Sequence, residues 1–264
     1  MPDGTGARGI RPDLPVEMKD RLIVALDLPT IAGAREMAAR LDGVVSFFKI
    51  GLWLAFAEGV DGLLHSLISS GKRVFLDAKM HDIGQTVAEG VARAADRGVH
   101  LVTVHGEPQV MEAAVKGKGT SPLKIFAISV LTSLDDADLK EMGYALPARD
   151  LIHRRAKQAV RAGCDGLIAS AADNPNELRR IAGSDRLLIG TPGIRGAGDT
   201  TDDHARLATP AAAIERGSDY LVVGRPIIAA ADPVERARQI IAEMEEGGRR
   251  ATGQASATGP TRTS

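Results

Sequence analysis

Residues 22–30, LIVALDLPT, decide between two ways of folding this chain. An apolar stretch runs straight into Asp27-Leu28-Pro29-Thr30 without a glycine. An open, doubly wound nucleotide fold wants G-x-G-x-x-G after its first strand, so that backbone amides can approach a pyrophosphate. That pattern is missing at the one place the open fold needs it. Outward from here, short apolar runs recur at 45–50, 74–79, 101–105, 124–130, 166–169, 187–190 and 220–223. Uninterrupted runs of this kind belong to strands buried on both faces, as in parallel sheets. Between them, stretches such as 31–41, 87–97, 149–162 and 233–245 carry apolar residues at helical spacing. Gly43, Gly71, Gly98, Gly163, Gly183 and Gly217 follow helical stretches, as helix ends favour. Eight strands alternating with helices predict an α/β fold, a single closed (β/α)8 TIM barrel.

The chain length of 264 residues suits that fold, which typically needs about 250 residues. Basic residues number 33 against 34 acidic ones, for a formal net charge of −1. This balance speaks against a nucleic-acid partner held by bulk charge. An aromatic content of 3% speaks against a base-stacking platform. The single cysteine, Cys164, excludes an internal disulfide framework and a cysteine-built metal site. The first apolar run is shorter than the roughly 7–15 residues of a signal-peptide core, and no run reaches the roughly 18 residues of a membrane span. The expectation is a cytoplasmic protein with no membrane partner. Residues 1–20 read as an N-terminal extension, 21–246 as the barrel domain, and 247–264 as a small, polar, disordered tail.

Barrel chemistry sits at the carboxyl ends of the strands. Asp27, Lys49, Asp77, Lys79 and His105 all fall there. Any one of them could be a solvated strand end, but several converging on one mouth need mutual pairing, because burying unpaired charge is costly. Asp77 and Lys79 are two apart and face the same side of a strand. Asp82 follows on the turn into the next helix. One reading is a structural ion pair and a helix-capping Asp. The other is a lysine kept charged between carboxylates, an ammonium able to stabilise and protonate a carbanion. A second cluster comprises residues 191–198, TPGIRGAG, and 223–226, VGRP. Loops after the seventh and eighth strands are the usual phosphate site of such barrels. Their glycines let amides approach phosphate oxygens, and Arg225 can supply a bidentate contact. The expected ligand is a phosphorylated small molecule.

Residues 77–86, DAKMHDIGQT, match the pattern D-x-K-x-x-D-I-x-x-T, and the chain thereby resembles the orotidine 5′-phosphate decarboxylase family. LDLP at 26–29, FKIG at 48–51, VLTS at 130–133, TPGIR at 191–195 and VVGRPI at 222–227 support the resemblance over about 21–246. It implies a carboxy-lyase that converts orotidine 5′-phosphate to UMP and CO2 in de novo pyrimidine synthesis, without metal or other cofactor. The implied catalytic residues are Lys79, Asp77, Asp82 and Lys49. Lys79 would protonate C6, and Asp77 would face the departing carboxylate. Lys49 and Asp27 would hold the ribose. Thr132 and Ser133 would read the pyrimidine edge. Pro192, Arg195, Gly224 and Arg225 would lie around the phosphate, with Arg225 its direct charged contact. Asp82 and Thr86, with Ile83 between them, would reach the neighbouring site across a homodimer interface. Residues 131–147 would form a mobile lid. Many members carry Gln nine residues after the TPGIR arginine; here that position is His204.

Related sugar-phosphate decarboxylases and hexulose-phosphate synthases share D-x-K-x-x-D, but use Mg2+ and carry Glu where this chain has Lys49. A tryptophan-pathway phosphate barrel would explain the phosphate loops but not the charged motif. A non-catalytic phosphate-ligand binding protein is the alternative from another class. His81 reads as an orienting residue, His105 as a supporting one, Cys164 as packed, and Trp53 and Met37 as core or edge packing.

Overall fold

The computed structural model describes residues 11, 14–196 and 208–253. Its strands are β1 (Leu22–Ala25), β2 (Phe47–Ile50), β3 (Arg73–Met80), β4 (Leu101–His105), β5 (Lys124–Ile128), β6 (Gly166–Ile168), β7 (Leu188–Thr191) and β8 (Tyr220–Val223). They pair in parallel, each with the next in sequence, and β8 closes on β1. The closed eight-stranded barrel confirms the fold expected from LIVALDLPT and its successors, with the same eight strands and end shifts of up to two residues.

Strand periodicity divides the core in two. Ile23, Phe47, Phe75, Leu101, Phe126, Leu188 and Tyr220 fill the barrel interior. Their neighbours, such as Leu22, Val24, Phe48 and Ile50, point outward into helices. Phe126 is a large interior side chain, and its register partner on the adjacent strand β6 is a glycine. A Cβ on Gly166 would lie 2.5 Å from the Phe126 ring. The helix Ala148–Ala162 ends at Gly163 and Pro175–Ala182 ends at Gly183, both left-handed, as anticipated for these caps.

The amino-terminal end of the barrel is closed by charge. Asp219, fully buried just before β8, accepts from the Ile189 amide at 2.7 Å and pairs with the Arg179 guanidinium. Arg179 also donates to the Leu187 and Gly217 carbonyls, each at 2.9 Å. Arg21 donates to the Asp219 carbonyl at 2.7 Å and the Ser218 carbonyl at 2.9 Å. From the N-terminal extension, Arg11 comes within 3.1 Å of Asp219 Oδ1, and Leu14 packs against the interior cluster.

The sequence-based boundary at 246 is corrected. The last helix spans Pro233–Thr252, so residues 247–252 are helical rather than disordered. Gly247 carries the reason. It is buried against the helix Pro210–Glu215, where a Cβ would meet the Ala211 carbonyl oxygen at 2.3 Å. A glycine that permits close helix approach reads in sequence like a helix end. His204 lies outside the described residues. Among the described residues, no helix is long and apolar enough to cross a membrane.

Asp219→Ala would leave the buried Arg179 guanidinium without its carboxylate and remove the partner of Arg11. The expected loss is about 3–5 kcal/mol of unfolding free energy, measured by urea denaturation. A loss within the scatter of surface substitutions contradicts a structural role for the network.

Candidate active site at the carboxyl end of the barrel

Three strand ends bring four charges into one row. Asp27 follows β1, Lys49 lies on β2, and Asp77 and Lys79 lie on β3. Lys49 Nζ is 3.1 Å from Asp27 Oδ1 and 3.4 Å from Asp77 Oδ2. Lys79 Nζ is 2.8 Å from Asp77 Oδ2. The signs alternate along the row: Asp27, Lys49, Asp77, Lys79. Gly51, after β2, leaves room for it; a Cβ there would sit 2.7 Å from Asp27 Oδ1.

Asp77 is the most buried carboxylate in the row. Burial pushes its carboxyl pKa up, but the Lys49 and Lys79 ammonium groups, with hydrogen bonds from Lys79 and Thr103, outweigh burial and hold it below the ordinary value. Thr103 Oγ1 donates to Asp77 Oδ1 at 2.8 Å and accepts from the Lys79 amide at 3.1 Å. Thr103 was not among the expected site residues. The available signal was a polar residue inside the apolar strand LVTVH, in register with the site.

The Lys79 backbone is left-handed, with φ of 46°, and the β3–β4 pairing slips between Leu76 and Met80. A non-glycine residue held in this region costs on the order of 1–3 kcal/mol, and such strain gathers at functional sites. Here the distortion accompanies the Lys79 amide turning to Thr103 and its ammonium to Asp77.

The row forms one wall of a cavity of about 310 Å3. Phe75, Ile128, Ile168 and Val222 make its apolar floor. Val130, Leu131 and Thr132 flank it, and Pro192, Gly193, Arg195, Gly224 and Arg225 complete the rim. Anionic and cationic demands are thus separated: paired charges on one side, two arginines and two glycine turns on the other. The donor set does not suit a metal, because the Lys49 ammonium occupies the space between the Asp27 and Asp77 carboxylates where a cation would sit. A larger depression of about 810 Å3 lies outside the barrel mouth, lined by Asp135, Asp136, Arg149, Asp173 and Glu177 among others. Asp135 and Asp136 there accept backbone amides.

The structure thus gathers Asp27, Lys49, Asp77, Lys79, Thr132, Pro192, Arg195, Gly224 and Arg225 around one cavity. It does not gather Asp82, Ile83, Thr86 or Ser133, which are exposed and outside it. Asp82 turns Oδ1 back to the Ile83 amide at 2.7 Å. Within one chain, the lysine held between two carboxylates is therefore Lys49, not Lys79. Met37 and Cys164 are packed as expected, and burial pushes the Cys164 thiol up to about 12. Trp53 is largely exposed, though its indole donates to the Leu28 carbonyl at 3.2 Å.

Residues 20–240 match the family model described as Orotidine 5′-phosphate decarboxylase / HUMPS family. The chain belongs to this family. The orotidine 5′-phosphate decarboxylase of Rhodopseudomonas palustris (strain BisA53) is 52% identical over 230 residues, covering 87% of this chain and 97% of the relative. That of Caulobacter vibrioides (strain NA1000 / CB15N) is 53% identical over 226 residues, covering 85% and 97%. The crystal structure of orotidine 5′-phosphate decarboxylase from Lactobacillus acidophilus superposes with a TM-score of 0.75 at 34% identity, covering 85% of this chain and 99% of that one. These relatives are carboxy-lyases, and the family match ends at residue 240, leaving Arg11 and Gly247 as contacts outside the matched span.

The electrostatics of Asp77 give a direct test. Its depressed folded-state pKa contributes stability that is complete above the unfolded-state value of about 3.9 and is lost as pH falls through the folded value. In a carboxyl 13C NMR titration, Asp77 should have a midpoint below 3.8, and Lys49→Met should move it upward. An unchanged midpoint in that variant contradicts the pairing.

Proposed function

We propose that this cavity decarboxylates orotidine 5′-phosphate to UMP, and that the alternating row Asp27–Lys49–Asp77–Lys79 is the observation that carries the reading. Loss of CO2 breaks the bond at C6 and leaves its electron pair on that carbon. No adjacent carbonyl is placed to delocalise the pair simply, so stabilisation must come from a fixed positive charge. Lys79 supplies it. Its ammonium is already oriented by Asp77, so little reorganisation is needed as charge develops. Lys79 then gives a proton to C6 and recovers one from solvent. Asp77 faces the substrate carboxylate, and that like-charge contact is relieved as CO2 leaves.

The remaining roles follow from position. Asp27 and Lys49 hold the ribose hydroxyls. Thr132 and the neighbouring Ser133 read the pyrimidine edge. Arg195 and Arg225, with the backbone near Pro192, Gly193 and Gly224, take the phosphate on the opposite rim. Residues 131–147, which include the helix Asp136–Glu141, close over the base. Ser133 enters the site by that movement. Enzymes lower barriers by about 8–23 kcal/mol in most cases, more than any single contact supplies. Phosphate binding therefore contributes through lid closure and site assembly. In this reading His204 is a substrate-binding residue, standing where many family members carry a Gln that bridges phosphate and base.

A homodimer completes the site. Asp82 and Thr86 are exposed and do not line their own cavity. Ile83, next to Asp82, is 71% exposed, and Trp53 and Phe56, which follow β2, are 62% and 84% exposed. Large apolar side chains in this setting fit a subunit interface, one that would carry Asp82 and Thr86 into the neighbouring cavity. A cytoplasmic setting, with UMP synthesis as the pathway, belongs to the same reading.

The family match includes a second branch, and the metal-dependent sugar-phosphate chemistry expected there needs a carboxylate at position 49. Lys49 favours the metal-free reaction. The assay is loss of orotidine 5′-phosphate ultraviolet absorbance with CO2 release, with and without EDTA. Turnover should survive EDTA and be almost abolished in Lys79→Ala, with the circular dichroism spectrum unchanged. Turnover that vanishes with EDTA, or persists in that variant, overturns the assignment. Mixing Lys79→Ala with Asp82→Asn subunits tests the dimer. Each hybrid should contain one intact site, so activity absent from both parents should return; no recovery in hybrids contradicts sharing of Asp82.

A further inference from the structure

Outside the cavity, a second group of side chains lies where β3 and β4 leave the barrel. His81 follows β3, His105 ends β4, and Glu107 precedes the helix Pro108–Lys118. The two imidazoles stack with ring centroids 4.9 Å apart and planes inclined by 18°. One ligand atom from each of the three residues lies within 4.8 Å of the others.

Glu107 is held rather than loose. Its Oε1 accepts from Arg155 Nη2 at 2.7 Å. Arg155 is itself anchored to the Ser129 carbonyl at 2.5 Å and the Tyr144 hydroxyl at 3.2 Å. The other oxygen, Oε2, is buried and has no hydrogen-bond partner. It faces His81 Nε2 at 3.8 Å and His105 Nδ1 at 4.0 Å, both beyond hydrogen-bond reach. A buried acceptor without a donor is costly, and these two imidazoles surround it without supplying one. Burial holds the His105 pKa below its ordinary value, with Glu107 opposing and His81, Arg155 and Lys79 adding to the depression.

We propose that His81 Nε2, His105 Nδ1 and Glu107 Oε2 form a binding site for a divalent transition-metal ion, with Zn2+ as the reference ligand. Two imidazoles and one carboxylate suit Zn2+ or its neighbours in the first transition row, and suit Mg2+ poorly. Tetrahedral bonds of about 2.0–2.1 Å place ligand atoms about 3.4 Å apart, so the carboxylate–imidazole separations of 3.8 and 4.0 Å must shorten and the imidazoles, now stacked, must converge. His81 is the ligand that moves, because it is more than half exposed, whereas Glu107 is fixed by Arg155 and His105 is half-buried. Solvent completes the coordination. The ion clamps the segment after Lys79 onto the end of β4. It lies outside the cavity, and turnover does not depend on it.

The test uses full-length protein stripped with chelator and titrated with Co2+, then displaced with Zn2+. The expected result is one Co2+ per chain with visible ligand-field bands and no thiolate charge-transfer band, since Cys164 is buried elsewhere. Zn2+ should raise the melting temperature. His81→Asn changes an exposed side chain and should fold normally; it should weaken binding by at least about tenfold, a loss that even outer supporting partners produce. His105→Gln should do the same. Absence of stoichiometric binding by the wild type, or wild-type binding in His81→Asn, overturns the proposal. Neither result bears on decarboxylation, which the absorbance assay reads separately.

Discussion

The Asp77 carboxylate is the constraint on which the site depends. It is buried at the barrel mouth, where an unpaired charge is untenable. Two lysines and one threonine resolve this: Lys49 and Lys79 at 3.4 and 2.8 Å, and Thr103 at 2.8 Å. Each partner comes from a different register position on β2, β3 or β4. The carboxylate thereby fixes the relation of three strand ends. It also orients the ammonium proposed to meet the reacting carbon, so that charge compensation in the resting protein becomes preorganisation in the reaction.

The same logic divides the barrel lengthwise. At the amino-terminal end, Asp219 is enclosed by arginines and carbonyls and serves only the fold. At the carboxyl end, paired charges border open space and two further arginines. Between these ends the apolar interior residues fill the barrel, with Phe126 packed over the bare Gly166.

Much of this was legible in the sequence because strand periodicity is local. The eight apolar runs, the missing glycine pattern after Leu26, and the two-residue spacing of Asp77 and Lys79 each needed only neighbours along the chain. What escaped needed neighbours across it. Thr103 acts through the β3–β4 register. The left-handed backbone of Lys79 accompanies a slip in that register. The lysine between two carboxylates is Lys49 because β1 and β3 flank β2, a relation no linear spacing displays. Gly247 looked like the start of a polar tail, and is instead a close helix contact. Asp82 carries the family motif, yet it does not line its own cavity, so the role proposed for it needs a second subunit.

The most direct measurement is a crystal structure with UMP bound. The account predicts phosphate against Arg195 and Arg225, ribose at Asp27 and Lys49, and C6 facing Lys79 Nζ at about 3–3.5 Å, the separation of a near-attack geometry. A nucleotide bound in the opposite sense, or with C6 turned away from Lys79, would contradict it.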